Sequence, residues 1–277
     1  METLKTKTLV YDNNCPMCTW YTGKMVNAGL IESNVRVPFE QLDLDNQCLL
    51  DLKRARHEIP MIDQNTGEVL YGLDALTIVF ANSYPILKPV ITRKWFKTGL
   101  KPLYYFISYN RRVIAGGAPE NSNAFSFAPD FNLGWRLALI AVGFGYTALC
   151  IYVFALLMAL NPMLLLACVT VYFLLLLAVD LAKNKTREMQ WDYMAHLGVL
   201  GLIEGTLFVL AAILARLTGL TGLMFAGQGA GRLLAIWLHA KRVKNNHYAK
   251  SLNYAFAFGA IALVVLIAVF KNQNLHV

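Results

Sequence analysis

Charge is scarce in this chain. Of 277 residues only 15% are Asp, Glu, Lys or Arg, against about 25% in ordinary soluble domains. A disordered chain needs many charges and few apolar residues, whereas 57% of this one is apolar. Acidic residues are the scarcer sign, and the deficit is local: residues 1–132 carry 14 basic and 13 acidic side chains, residues 133–277 carry 11 and 4. Cysteine is sparse too, five in all, which excludes a disulfide scaffold. The one C-x-x-C has no second C-x-x-C or H-x-x-x-H beside it. Residues 1–8 are polar, so no signal peptide is expected and a cytoplasmic start is.

The positive excess, with a pI of about 9.2, would suit a phosphate binder, but it sits among long apolar runs. Residues 134–181 contain two charges, Arg136 and Asp180, one near each end. Runs of that length predict membrane helices. Five are expected, at 134–160, 163–181, 195–217, 220–240 and 252–270, the fourth being the most polar because it holds Gln228 and Arg232. The chain then reads as an integral protein of a cell or inner membrane. With five spans, seven basic residues (Lys183, Lys185, Arg187, Lys241, Arg242, Lys244, Lys250) share a side with the N-terminal domain, and Arg216 and Lys271 lie opposite. That asymmetry puts the first domain in the cytoplasm and the C-terminus across the membrane. The partners expected are a lipid bilayer and no nucleic acid; oligomeric state is not legible.

The first 83 residues alternate β-rich and helical patterns in the order β-α-β-α-β-β-α, the mark of a small α/β domain. A strand at 8–11 ends at Asp12-Asn13-Asn14, and a helix runs from Pro16 to Asn27. Pro38 sends a strand at 35–39 to the sheet edge. Asp45 is the expected cap of a second helix. Strands at 59–62 and 68–71 flank a polar connection, and a helix covers 73–83. The basic, aromatic stretch 85–112 suits either a membrane surface or the solvated face of a helix finishing the domain. The domains expected are 1–115, a linker at 116–132, and a helical membrane domain at 133–277.

Cys15-Pro16-Met17-Cys18 follows a strand and opens a helix. One helical turn brings the two sulfurs together, and free N–H groups at the helix start favour a thiolate on Cys15. Pro16 loses nothing at the first helical position. Cys15 is the expected nucleophile and Cys18 the resolving thiol, in a partly exposed, electropositive place. Two other readings stand: a zinc site completed by Cys48 and His57, and a pair of inert buried thiols.

The run Tyr11-Asp12-Asn13-Asn14-Cys15-Pro16-Met17-Cys18 resembles the DCC family of thiol-disulfide oxidoreductases, named for D-x-x-C-x-x-C. Tyr71-Gly72-Leu73-Asp74-Ala75, Leu103-Tyr104-Tyr105 and Asn110-Arg111-Arg112 resemble further family segments. The resemblance covers residues 7–115 and implies a thioredoxin-like fold and thiol-disulfide exchange by Cys15 and Cys18. Asp12 is then the motif's acidic member, tuning the cysteines, transferring protons or capping the turn. Ile59-Pro60 is similar to the cis-proline segment with which thioredoxin-like proteins hold a substrate backbone. No Trp precedes Cys15 as in thioredoxin, so redox potential and partner choice do not carry over.

In the membrane half, depth arithmetic separates Cys150 from Cys168 by more than a disulfide spans. Glu204 and Arg232 fall ~13 Å and ~12 Å from one face at ~1.5 Å per residue, so an ion pair locking two spans is expected. His196 and His239 read as surface residues. The fold class expected is an α/β thioredoxin-like domain plus an all-α domain of about five spans. The activity expected is that of a membrane-anchored protein-disulfide reductase acting on a protein or small-molecule disulfide, with no cofactor and no metal. The competing class is a transporter or scaffold whose soluble domain senses redox state or metal.

Overall fold

A short buried strand organises the N-terminal part. In the computed structural model, which describes residues 4–116, 127–184, 186–245 and 248–273, the chain divides into two compact units, Met1–Trp135 and Arg136–Val277. The chain is mainly helical, with one small mixed sheet of four strands. The linker expected at 116–132 is described only at Gly116 and from Phe127 onward, and the C-terminus at Val277 lies outside the described residues.

Strand β1 (Lys7–Tyr11) lies between β2 (Arg36–Pro38), which it pairs in parallel, and β3 (Pro60–Asp63), which it pairs antiparallel; β3 pairs β4 (Val69–Tyr71) in a hairpin. Pro38 ends the edge strand, where its missing N–H leaves no bond unmade. Alternation along β1 makes two cores. Leu9 and Tyr11 pack with Met61 beneath helices α1 (Pro16–Asn27) and α4 (Leu73–Ser83). Val10 and Ile62 turn the other way, onto Phe39, Leu42, Leu50 and Phe127. On that side lie α2 (Leu44–Leu49) and α3 (Leu52–Ala55). Asp43 rather than Asp45 caps α2: its extended backbone points its carboxylate at the Asn46 N–H, 2.8 Å away, while Asp45 is already in the first turn.

After the short α5 (Lys88–Ile91), the basic stretch becomes one long helix, α6 (Lys94–Ala115), ended by Gly116 in the left-handed conformation. Its C-terminal half is docked. The Tyr104 hydroxyl accepts from the Ile59 N–H at 3.0 Å, Ser108 donates to the His57 carbonyl, and Arg111 is buried. The stretch from 127 is tied to the same unit by the Phe127 ring, 4.1 Å from Phe39, and by Asp130, which pairs with Arg56 and His57.

The second unit is helical: α7 (Leu133–Leu157), α8 (Pro162–Lys183), α9 (Arg187–Thr218), α10 (Thr221–Asn245) and α11 (Ser251–Gln273). Three of these, α7, α8 and α9, are long and apolar enough to cross a membrane. The middle of α10 carries buried Gln228 and Arg232, and α11 is apolar over Ser251–Val265. Small residues let the helices approach closely. A side chain on Gly143 would meet the Gly198 backbone at 2.8 Å, and one on Gly201 would meet Thr147 at 2.2 Å. The expectation of surface histidines fails. His196 and His239 are 2% and 1% exposed, because each finds a partner inside. Asn253 takes the Nδ1–H of His239, whose Nε2 accepts from the Tyr193 hydroxyl at 3.0 Å; Nδ1 of His196 accepts from Arg242 at 3.0 Å.

Gly201→Leu is expected to destabilise the helical unit by about 1–3 kcal/mol or more through overpacking. Gly145→Leu, at a position with nothing within 4 Å, is its matched control. Thermal aggregation of the two detergent-solubilised variants, followed by size-exclusion chromatography, checks this; equal behaviour would contradict the close α7–α9 approach.

Candidate active site at the dithiol

The end of β1 delivers Asp12 into a tight turn and the turn delivers Cys15 to the start of α1. One Asp12 oxygen accepts the Asn14 N–H at 3.0 Å, and the Asp12 carbonyl accepts the Cys15 N–H at 3.3 Å. Side-chain amides of Asn13 and Asn14 each donate to Glu40 at 3.0 Å, fixing the turn from outside. Cys15 is the helix N-cap, in extended conformation, with Pro16 beginning the first turn. Its sulfur accepts the Cys18 N–H at 3.5 Å, the role that a Ser or Asp oxygen ordinarily fills. Both thiols are free and buried, Cys15 with no exposed surface. The exposure expected of a helix start is absent, because the side chains of α1, α4 and β3 close over it.

The other oxygen of Asp12 faces Arg111 Nη2 at 3.5 Å. Arg111 is 7% exposed and donates to the carbonyls of Arg56 and Phe127 as well as to Ser108. A buried guanidinium is tolerated only when paired and hydrogen-bonded. Its charge bears on the cysteines. The Cys15 thiol is lowered to about 6, first by the hydrogen bond from the Cys18 thiol and then, against the opposing effect of burial, by Arg111 and the Cys18 N–H; Asp12 pulls weakly the other way. Cys18 is pushed well above the usual thiol range by holding the proton it shares with Cys15 and by burial. One sulfur is set as a thiolate and its neighbour as a thiol.

A search of protein-family models, curated proteins and solved structures finds no match to this chain. The site is therefore argued from its own atoms.

Ile59 and Pro60 come beside the dithiol, but not as expected. Every described peptide bond is trans: Pro60 opens β3, where an ordinary trans proline fits. The N–H of Ile59 is already bonded to Tyr104 and its carbonyl to the Gly72 N–H at 2.8 Å, so these groups do not stand open for a substrate backbone. Both residues instead line a cavity that Cys18 also borders. Cys48 is exposed, and His57 is taken up by Asp130 and stacked on Tyr109 at 4.3 Å. Among the described residues no three His, Cys, Asp or Glu side chains gather as a metal-ligand set. In the second unit Glu204 and Arg232 lie 2.8 Å apart, and Cys150 and Cys168 are both free.

Sequence reasoning singled out Asp12, Cys15 and Cys18 but gave Arg111 no role. The signal was there: Tyr104, Ile107, Ser108 and Arg111 recur at helical spacing, which puts an arginine on the buried face of α6. Because the folded value lies below the ordinary 9.0, the thiolate stabilises the reduced fold at pH above the unfolded value, and this contribution is lost as pH falls through about 6. Arg111→Met is expected to raise the midpoint of the pH–rate profile for iodoacetamide alkylation of Cys15 by about one unit or more. Asp12→Asn is expected to lower it. Shifts of the same sign in both variants would show that neither charge acts on the sulfur.

Proposed function

We propose that this chain is a membrane-anchored thiol-disulfide oxidoreductase of the reductase type, with Cys15 as nucleophile and Cys18 as resolving thiol. The observation that carries the proposal is the asymmetry of the two sulfurs: an N-cap thiol lowered to about 6 beside a neighbour held protonated. Exchange needs that division. The Cys15 thiolate attacks a disulfide in line with its S–S bond, forms a mixed disulfide and releases one thiolate; Cys18 then attacks the Cys15 sulfur and releases the second. The dithiol leaves as a disulfide and the partner as two thiols. An attacking thiol lowered to about 6 is largely ionised at neutral pH.

The D-x-x-C-x-x-C resemblance supports the same reading, together with a thioredoxin-like relationship for the N-terminal unit: a strand, a helix opened by C-x-x-C, and a later antiparallel hairpin in one small sheet. For the second unit we propose five spans, adding α10 and α11 to the three apolar helices; pairing of Arg232 with Glu204 meets the need for a partner that a charge within a membrane has. The excess of basic residues in the loops favours a cytoplasmic dithiol, and in that reducing compartment such a pair would act as a reductase.

In cells expressing Cys18→Ser, mixed disulfides on Cys15 are expected to accumulate, visible as reductant-sensitive adducts in gels or mass spectra. They are expected to vanish in the Cys15→Ser, Cys18→Ser double variant. An empty Cys15 in Cys18→Ser, together with zinc bound stoichiometrically to the wild type, would replace this reading by that of a metal-sensing module.

A further inference from the structure

Cys18 of the dithiol borders a cavity of about 290 Å3 whose walls are mostly apolar, among them Met17, Met25, Leu76, Phe80 and Ile107. We propose that this cavity binds a neutral, largely apolar, low-molecular-weight disulfide, and that such molecules are the dithiol's preferred substrates. The inference rests on the exchange reaction proposed above and names its substrate class.

Three observations carry it. First, the cavity has the size of a small-ligand site, and it meets the reactive pair through the Cys18 side chain. Cys15 itself has no exposed surface and does not line the cavity, so attack on any disulfide requires the groups around its sulfur to move. A small molecule already seated against Cys18 requires a smaller movement than a disulfide held rigidly in a folded partner. Second, the charges around it select against anions. Among the described residues Arg111 is the one cation bordering the cavity, and Asp12 already faces it at 3.5 Å. Once Cys15 ionises, two negative groups stand against one positive, and a substrate carrying carboxylates meets repulsion in a poorly hydrated place. Third, Arg111 Nε is buried without a hydrogen-bond partner among the described residues, on a side chain that lines the cavity. An unmade bond of that kind is costly, and a neutral acceptor on a bound molecule, such as a ring nitrogen or a carbonyl, would complete it.

The reaction balances within one turnover. The Cys15 thiolate attacks one sulfur of R–S–S–R, forming Cys15–S–S–R and expelling RS−. Cys18 attacks Cys15 Sγ, its proton leaving to solvent, and expels the second RS−. Two electrons pass from the dithiol, now a Cys15–Cys18 disulfide, to the substrate, now two thiols after protonation in water.

The test uses the reduced full-length protein in detergent under single-turnover conditions, with two aromatic disulfides of opposite character: neutral dithiodipyridine and anionic dithiobis(nitrobenzoate). Each rate is divided by that of dithiothreitol with the same disulfide, which removes intrinsic reactivity. The corrected rate is expected to favour the neutral compound by about tenfold or more, the effect of a carboxylate brought beside Asp12 and the Cys15 thiolate in a poorly hydrated place. Phe80→Trp and Ile107→Trp, at rim positions 37% and 40% exposed where a larger side chain fits without refolding the core, are expected to abolish most of that preference. Equal corrected rates, or a preference untouched by both rim variants, would overturn the substrate class. If equal corrected rates coincide with proteins trapped on Cys15 in Cys18→Ser, the exchange reaction stands and this inference alone falls. If neither disulfide oxidises the dithiol and no adduct is trapped, both fall together.

Discussion

A buried cation, Arg111, holds the dithiol end of the N-terminal unit together. Arg111 comes from the last turns of α6, far along the chain from β1, and in the core it has to be neutralised and hydrogen-bonded. Asp12 provides the charge, and the carbonyls of Arg56 and Phe127 accept further donors. In meeting its own requirement the guanidinium ties together the end of β1, the turn before β3, the helix α6 and the stretch from 127. Breaking one member of such an arrangement leaves an uncompensated buried charge, commonly worth 3–5 kcal/mol. The cysteine chemistry takes advantage of a charge that the fold already has to accommodate. With Cys15 protonated, Asp12 and Arg111 balance; with Cys15 ionised, one cation serves two anions, and hydrogen bonds from Cys18 make up the difference.

The same physics acts in the helical unit with another solvent in view. Arg136 pairs with Asp192 and Arg232 with Glu204, each at 2.8 Å; Tyr193 and Asn253 bond both nitrogens of His239, and Arg242 bonds Nδ1 of His196. Between these polar points the helices touch through glycine against glycine, threonine or cysteine. Close approach strengthens the dispersion contacts between helices, and the paired charges fix which helix faces meet. The Glu204–Arg232 contact joins α9 to α10.

Much of this was legible in the sequence because it rests on local rules. The strand before Asp12, the helix from Pro16 to Asn27 and the helix Leu73–Ser83 follow from β-branched runs, a proline at the first helical position and apolar periodicity. Pro38 marked the edge strand. What was not legible depends on contacts distant in the chain. The burial of Cys15 comes from α4 and β3 closing over α1, which no pattern near Cys15 encodes. The trans bond at Pro60 and the engaged backbone of Ile59 depend on Tyr104, 45 residues away. His196 and His239 looked like surface residues because their partners lie on other helices. Arg111 was the costliest omission: a motif resemblance named it, but only packing revealed that its charge reaches the sulfur.

The most direct test of the account is the thiolate absorbance of the reduced chain, titrated in the ultraviolet between about pH 4 and pH 10. The account predicts a transition near pH 6, the value to which Cys15 is lowered, present in the wild type and missing in Cys15→Ser. A wild-type titration with no thiolate forming below the ordinary thiol range near 8.5 would contradict it, because neither the Cys18 hydrogen bonds nor the buried cation would then be holding a charged sulfur.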